Sequence, residues 1–447
     1  CLLSFCGFFS SYDGQIFTLA LPRIQKDLSI RDHDVSFIGS LIALGNLFGL
    51  PLLLGADRFG RKRILLLTVM PYSVLTGLTA LSHSYLSFVV YQFGARIFLS
   101  VEVIVSNVVI VEEMPKHNRG WAVGVISACS TIGNGLAILV FGIIGDRPGS
   151  WRVLYALAVV PLLFLAYLRR FLPESVRFTG AMSQNVVIGR ATPDEGELQS
   201  ACVETTNVVE AEGRSLLAPA FSIFKPLLQL FQESRSMALS VFLLAFADVF
   251  SMGPHSLYDF KYLQEAHGFA AHHVSILGIL GGLMALGMYT HAGDLSDRFG
   301  RRKLLSVFYF IHCILTVIYY LVTGSFSRLI SLIWTVRVAF AMGLGTMGSA
   351  LSTEVFPTSR RSTAQSIWQL AISIGKPSGI FFEGILVSSS LVSTHWQGTA
   401  IVACFQLICV FLVMLCFPET AGRELEEIDC NVSRDASVTS THEMAGQ

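Results

Sequence analysis

The chain is short of charge. Only 14% of its residues are Asp, Glu, Lys or Arg, and 53% are hydrophobic, whereas a soluble chain carries about a quarter charged residues. The formal net charge is zero, which gives no support to a nucleic-acid partner. No C-x-x-C pair occurs among the nine cysteines. Cys1, Cys6, Cys129, Cys313, Cys404, Cys409 and Cys416 fall in apolar runs, where cysteine reads as a small packing residue and not as a metal ligand or half of a disulfide. The first stretch lacks a basic leader and a small-residue cleavage site, and Asp13 interrupts its apolar core, which argues against a signal peptide. Because Cys1 already lies inside an apolar run, a leading cytosolic segment is expected to precede it. The polar stretches hold no nucleophile–base constellation and no metal cluster, so neither an enzyme nor a cofactor is expected.

What the chain has instead is apolar length. Spanning hydrocarbon takes about 20 apolar residues in a helix, the open-ended way to satisfy the backbone there. Twelve runs qualify, at about 1–22, 35–55, 64–82, 85–111, 120–144, 151–172, 236–257, 273–292, 304–323, 329–352, 363–389 and 398–417. The pattern is also written twice. Gly55-Ala56-Asp57-Arg58-Phe59-Gly60-Arg61-Lys62-Arg63 returns as Gly293-Asp294-Leu295-Ser296-Asp297-Arg298-Phe299-Gly300-Arg301-Arg302-Lys303. At nearly the same offset of about 240 positions, Arg96 matches Arg337, Glu113 matches Glu354, Asn134 matches Lys376 and Pro173 matches Pro418, an ordered series that marks a duplicated unit.

The expected fold is therefore an all-α polytopic membrane protein with twelve transmembrane helices in two pseudo-symmetric six-helix bundles. Residues 1–172 form the first bundle, 173–235 a cytoplasmic central loop, 236–417 the second bundle and 418–447 a cytoplasmic tail. Lysine and arginine crowd into the duplicated turns, the central loop and the C-terminal stretch, which makes that side cytoplasmic. Both termini are then cytoplasmic, and the cell membrane is the expected location. Within the central loop Thr192 to Glu212 reads as a linker, and Phe221 to Phe231 as a segment lying on the membrane surface. Asn431-Val432-Ser433 matches a glycosylation sequon on the side where it stays unmodified.

These residues resemble the major facilitator superfamily over nearly the whole chain. The duplicated turns are similar to its G-x-x-x-D-R-x-G-R-K signature. Pro173-Glu174-Ser175-Val176-Arg177-Phe178 resembles the PESPR element of its sugar-porter-like branch, and Pro418-Glu419-Thr420-Ala421-Gly422-Arg423 the PETKGR element. Glu113-Met114-Pro115 with Arg119, and Glu354-Val355-Phe356-Pro357 with Arg360, resemble its E-x-x-P…R elements. There are departures. Leu53 stands where the first signature opens with Gly, run seven lacks the paired glutamines of hexose carriers, and run five lacks the Gly-Pro pattern of drug antiporters. The remainder looks more like the metabolite:proton symporters that carry aromatic and other organic acids.

Ionisable groups inside a membrane helix are functional candidates because each needs a partner or a wet cavity. Asp13, Glu102 and Asp248 are the candidates for proton coupling. The resemblance implies that Asp13 and a run-four arginine, here Arg96, form the coupling pair; a fixed structural ion pair is the other reading. Glu102 follows Arg96 by a spacing that puts the two roughly 120° apart around the helix, so each needs its own partner. Glu102 is either a second protonation site or an interhelical hydrogen-bonding group. Arg96, Lys376, Glu383 and Arg337 are the candidates for substrate contact. Lys376 and Glu383 lie nearly on one face, about 10 Å apart along the helix, and Lys376 is either a counter-charge for an anion or tied to Glu383 or Asp248. Arg337 is either a substrate contact or snorkels to the surface. Tyr12, Phe17, Phe246, Trp334 and Trp368 either flank a flat substrate or pack against helices, and His255 and His312 read as packing or hydrogen-bonding residues.

The gating candidates are Asp57, Arg58, Gly60, Arg61, Asp297, Arg298, Gly300 and Arg301, with Glu113, Arg119, Glu354 and Arg360. In this reading Asp57 and Asp297 cap neighbouring helix N-termini and pair with the arginines, and the other four, with Glu174, Arg177, Glu419 and Arg423, form a latch between the halves; the bare alternative for the arginines is positive-inside anchoring. The function expected is alternating-access transport, with proton-coupled uptake of a small organic anion by a monomer. Its partners are that substrate, protons and the bilayer. A sugar or polyol carrier, an organic-cation carrier and a non-transporting sensor stay open beside it.

Overall fold

The structure is a computed structural model and describes residues 4–49, 61–113, 119–169, 232, 234–322, 327–356 and 361–419. The central linker, the segment 221–231, the sequon, and the elements at Pro173 and Ala421 lie outside the described residues. So do Asp57, Arg58, Gly60 and Arg360.

Each expected apolar run is helical over most of its described length, because apolar sequence leaves the backbone to satisfy itself. The helices of the first half are α1 (Ser4–Asp27), α2 (Asp32–Phe48), α3 (Arg61–Ala80), α4 (Tyr85–Glu113), α5 (Arg119–Ile144) and α6 (Ser150–Arg169). Those of the second half are α7 (Arg235–Glu265), α8 (Ala271–Phe299), α9 (Arg301–Leu321), α10 (Ser327–Glu354) and α11 (Arg361–Ser388), followed by α12 (His395–Ala403) and α13 (Gln406–Cys416). Among the described residues, 8 helical spans are long and apolar enough to cross a membrane. Large apolar side chains such as Leu67, Leu283, Leu332, Phe411 and Leu415 face outward, as a lipid-facing surface requires.

Two boundaries differ from the sequence reading. The twelfth run is two helices, because Cys404 and Phe405 switch to i→i−3 bonding: Leu407 N–H donates to the Cys404 carbonyl and Ile408 N–H to that of Phe405, both at 3.0 Å. The second signature is not a turn along its length. Residues 293–299 are the last turns of α8 and Arg301 opens α9, so only Gly300 breaks the helix, with φ at +91°, a conformation that suits glycine.

The internal duplication is visible in packing. A Cβ at Gly133 of α5 would strike the backbone carbonyl of Phe8 on α1. At Gly375 of α11 it would meet the carbonyl oxygen of Phe246 on α7 at 2.9 Å. The matched glycines thus let matched helix pairs approach at backbone distance in each half. The halves touch along α2–α11 and α5–α8, with α1 also against α7. Small residues permit this too: Gly142 would bring a Cβ to 2.5 Å from Ser275 Oγ, and Gly278 to 2.9 Å from Ile138.

Candidate functional site

α1 carries Asp13, which is completely buried. Arg96 of α4 reaches it, with Nη2 at 3.5 Å from Oδ2. Neither Asp13 oxygen takes a hydrogen bond from Arg96, so the pair is electrostatic and loose. Gln92 and Tyr155 are the other polar side chains around it. Lys376 of α11, from the other half, is close enough to Arg96 for their charges to interact. Arg96 therefore stands between a carboxylate of its own half and a cation of the other.

The other candidates are held elsewhere. Glu102 accepts from Thr68 Oγ1 of α3 at 2.7 Å, an interhelical bond inside the first half. Asp248 accepts from Gln406 Nε2 at 3.5 Å, and Gln406 Oε1 is 2.7 Å from His312 Nδ1. Arg337 does not snorkel. It is 1% exposed and its Nη2 donates to Asp259 of α7 at 2.5 Å, while its Nη1 lies 3.2 Å from His255 Nδ1 and the Tyr319 ring lies beneath it. Asp259 was not singled out in the sequence because it stands beyond the apolar part of run seven. Glu383 is paired with His395 and Ser36, at 2.8 and 2.5 Å, and not with Lys376. Lys376 has no ion-pair partner among the described residues.

The aromatic candidates are packing groups in this state. Tyr12 donates to the Leu154 carbonyl at 3.3 Å, and Phe17 stacks on Phe88. Phe246 stacks on Phe242 and Phe250. Trp334 lies against Phe260 and Gly281, and Trp368 against Gly348.

At the basic face, Arg301 binds Asp297 at 2.8 Å and pairs with Glu354. The cap on α9 comes from Glu419, which accepts from the Arg301 N–H at 2.8 Å, and not from Asp297. The reason is register: Asp297 sits in the last turn of α8, one turn before Arg301, where its reach is to that side chain. These contacts tie α8, α9, α10 and the segment after α13 together, all within one half. Arg298 lies exposed in the same turn of α8. Glu113, Arg119 and Arg61 mark the ends of α4, α5 and α3.

The opposite face is where the halves are joined. Arg23 of α1 donates to Asp146 at 2.7 Å and to Gln264 of α7. Asp146 in turn caps α8, accepting from the Ala271 N–H at 3.1 Å. Lys261 of α7 donates to Asp32 at 3.0 Å and to Gln25 at 2.5 Å. Partial burial acts to raise the proton affinity of Asp32, but the bonds from Gln25 and Lys261 outweigh it and hold the carboxyl below its usual range. Deeper in, Ser36 and Ser40 of α2 reach Glu383 and the Pro377 carbonyl of α11, and Ser275 of α8 donates to the Ile138 carbonyl at 2.6 Å. This face is closed. Apart from Glu383, sequence reasoning missed these residues because their partners lie far away in the chain, most of them in the other half, and no local spacing announces such a partner.

Two six-helix halves around a buried carboxylate–cation group, sealed at one face, have a counterpart in a family model. The description Major Facilitator Superfamily matches residues 3–349 and 259–429. The chain belongs to the major facilitator superfamily. It is a transporter of that superfamily and not an enzyme. Its architecture is that of an all-α polytopic membrane protein with twelve transmembrane helices in two pseudo-symmetric bundles. It is 24% identical to the Probable 4-methylmuconolactone transporter of Cupriavidus pinatubonensis over 439 residues, 94% of this chain and 89% of that protein. It is 23% identical to the Arabinose-proton symporter of Bacillus subtilis, covering 96% of this chain and 93% of that one. A shorter match, 30% identical over 167 residues, covers 36% of this chain and 39% of the Cis,cis-muconate transport protein of Acinetobacter baylyi. Among solved structures, a bacterial homologue of the human lysosomal transporter Spinster, inward-facing and unoccupied, superposes with TM-score 0.71 at 18% identity over 93% of this chain and 95% of that one. A D-xylose-proton symporter gives TM-score 0.70 at 16% identity over 94% and 98%.

Proposed function

We propose that this transporter works by alternating access and couples the uptake of a small organic anion, a carboxylate or aromatic acid, to a proton. The bundles are taken as 1–172 and 236–417, with the basic face and both termini cytoplasmic in the cell membrane and the monomer as the working unit. The sealed face is then external, and the structure is an inward-facing state. Asp13 takes the proton. Arg96 is its partner when the carboxyl is charged and is released toward the substrate when the carboxyl is neutral. Lys376, from the other half, supplies the second positive charge, so one anion bridges both halves at the midplane.

The observation that carries this reading is the charge count at the centre. Arg96 faces Asp13, and Lys376, whose charge is felt at Arg96, has no ion-pair partner among the described residues, while Glu102, Asp248 and Glu383 each have bonds elsewhere. A site with an uncompensated cation in low dielectric favours an anionic ligand. The muconolactone and muconate carriers among the relatives support the same substrate class. Glu102 and Asp248 remain secondary proton candidates, and Arg337 and Glu383 are assigned structural and gating roles in this state. The near-equal likeness to the arabinose–proton symporter keeps a neutral sugar as the second reading. Competition in reconstituted vesicles separates them: an excess of unlabelled benzoate-like acids should suppress uptake, and an excess of pentoses should not. The reverse pattern would reassign Arg96 and Lys376 to structural roles.

A further inference from the structure

At the sealed face His395 has an acceptor at each ring nitrogen. Nδ1 is 2.8 Å from Glu383 Oε1, and Nε2 is 2.8 Å from the main-chain oxygen of Asp32. A carbonyl oxygen cannot donate, so Nε2 must carry a hydrogen. A neutral imidazole would then turn the lone pair of Nδ1 against a carboxylate lone pair. One further proton has to lie between Nδ1 and Oε1, wherever along that line it sits. The second carboxylate oxygen does not need it, because Ser36 Oγ donates to Oε2 at 2.5 Å and the Tyr258 hydroxyl, 2.7 Å from Ser36, supplies the next bond. The Tyr258 ring stacks on His395 with centroids 4.8 Å apart.

We propose that Glu383 and His395 form a proton-binding site between the halves, filled when the face opposite the basic turns closes. The dependence on closure comes from α2. Asp32 and Ser36 belong to the first half, whereas Glu383 and His395 belong to α11 and α12 of the second. When the halves part, water replaces the Asp32 carbonyl, and a neutral His395 can donate from Nδ1 to Glu383 while Nε2 accepts from water. When they meet, that tautomer is forbidden and one proton enters. The charged neighbours are Asp32 on α2, and Lys261 and Glu265 on α7; Lys261 binds Asp32 at 3.0 Å and Glu265 at 3.6 Å. The site is distinct from Asp13 and does not rest on the proton role assigned there. It links closure of this gate to the proton concentration at that face.

The test reads gate distance in the full chain. Fluorophores placed by noncanonical amino acids at Lys26, at the end of α1, and Leu391, between α11 and α12, leave the native cysteines in place; both positions are exposed and lie in different halves. Single-molecule distances are recorded in detergent from about pH 8 to pH 5.5. Linkage to one proton allows the closed-to-open ratio to rise by up to about tenfold per pH unit. Wild type should close as pH falls. Glu383→Gln should stay closed at both ends, since its amide can donate to a neutral His395. His395→Leu should stay open at both ends, since it leaves the Asp32 carbonyl and Glu383 without a donor. Asp13→Asn should keep the wild-type response. A pH-independent wild-type ratio, or a His395→Leu protein that still closes on acidification, overturns the proposal. The wild-type measurement decides the matter even if a variant fails to fold. A response lost only in Asp13→Asn would also overturn it, by moving the proton to that site.

Discussion

Arg96 lies 3.5 Å from Asp13 and yet neither carboxylate oxygen receives a hydrogen bond from it. A structural ion pair in a buried site is normally tight and fully bonded, because burying two charges is costly unless geometry is good. A loose pair is easier to dissolve by protonation. Asp13→Asn is therefore expected to abolish pH-driven accumulation while leaving substrate exchange across the membrane intact, as read by counterflow in vesicles. Retained accumulation would make the pair a structural one.

Lys376 should set affinity and not coupling. Hydrogen bonds to charged groups are worth about 1.5–3 kcal/mol, so Lys376→Met should weaken acid binding by about tenfold or more, while accumulation of bound substrate still follows the proton gradient. Equilibrium binding to purified protein checks the first part and a gradient series the second.

Arg337 and Asp259 should behave as one structural unit. Removing one partner of a buried pair costs about 3–5 kcal/mol. Arg337→Met alone should lower the thermal midpoint strongly in detergent, and Arg337→Met combined with Asp259→Leu should recover much of the loss. Equal midpoints for single and double variants would show that the pair is not coupled.

Gly133 and Gly375 should be equivalent. A methyl at either meets a backbone carbonyl that cannot rotate away, and overpacking of this kind costs about 1–3 kcal/mol. Gly133→Ala and Gly375→Ala are each expected to lower the thermal midpoint. An unaffected Gly133→Ala protein would contradict the close approach to Phe8.

Asp32 should support the sealed face only while ionised. Its folded-state proton affinity is held down, so its contribution is complete above the ordinary carboxylate value of about 4 and fades as pH falls through the lower folded value. Asp32→Asn should favour the open face slightly at neutral pH, with the difference from wild type vanishing in strong acid. Because the side chain is 74% exposed, solvent screening keeps the effect small. The two-fluorophore distance measurement reads it.

The helices and the duplication were legible because both are written locally, as apolar length and as motifs recurring at a fixed offset. Asp13 and Arg96 were each legible for a related reason, since charges are so rare in these helices that each one stands out, but their pairing came only from the family resemblance. The gate was not. Ser36 and Tyr258 look like ordinary polar interruptions, and His395 sits at a helix start beyond the apolar run. Their importance comes from the approach of α2 to α11 and α12, which only the assembled halves create. Glu383 and Arg337 were noticed for their charge, but their partners, His395 and Asp259, lie outside the spans the hydropathy drew. Asp297 was read as a cap because acidic residues favour helix starts; the continuation of α8 to Phe299 placed it at a helix end.

Uptake into proteoliposomes with an imposed inward proton gradient, offered a labelled pool of carboxylic acids, sugars and amines, tests the central claim most directly. The expected result is concentration of an acid that collapses with a protonophore and is absent in Asp13→Asn. Concentration of a sugar or an amine instead, or acid entry indifferent to the gradient, would contradict it.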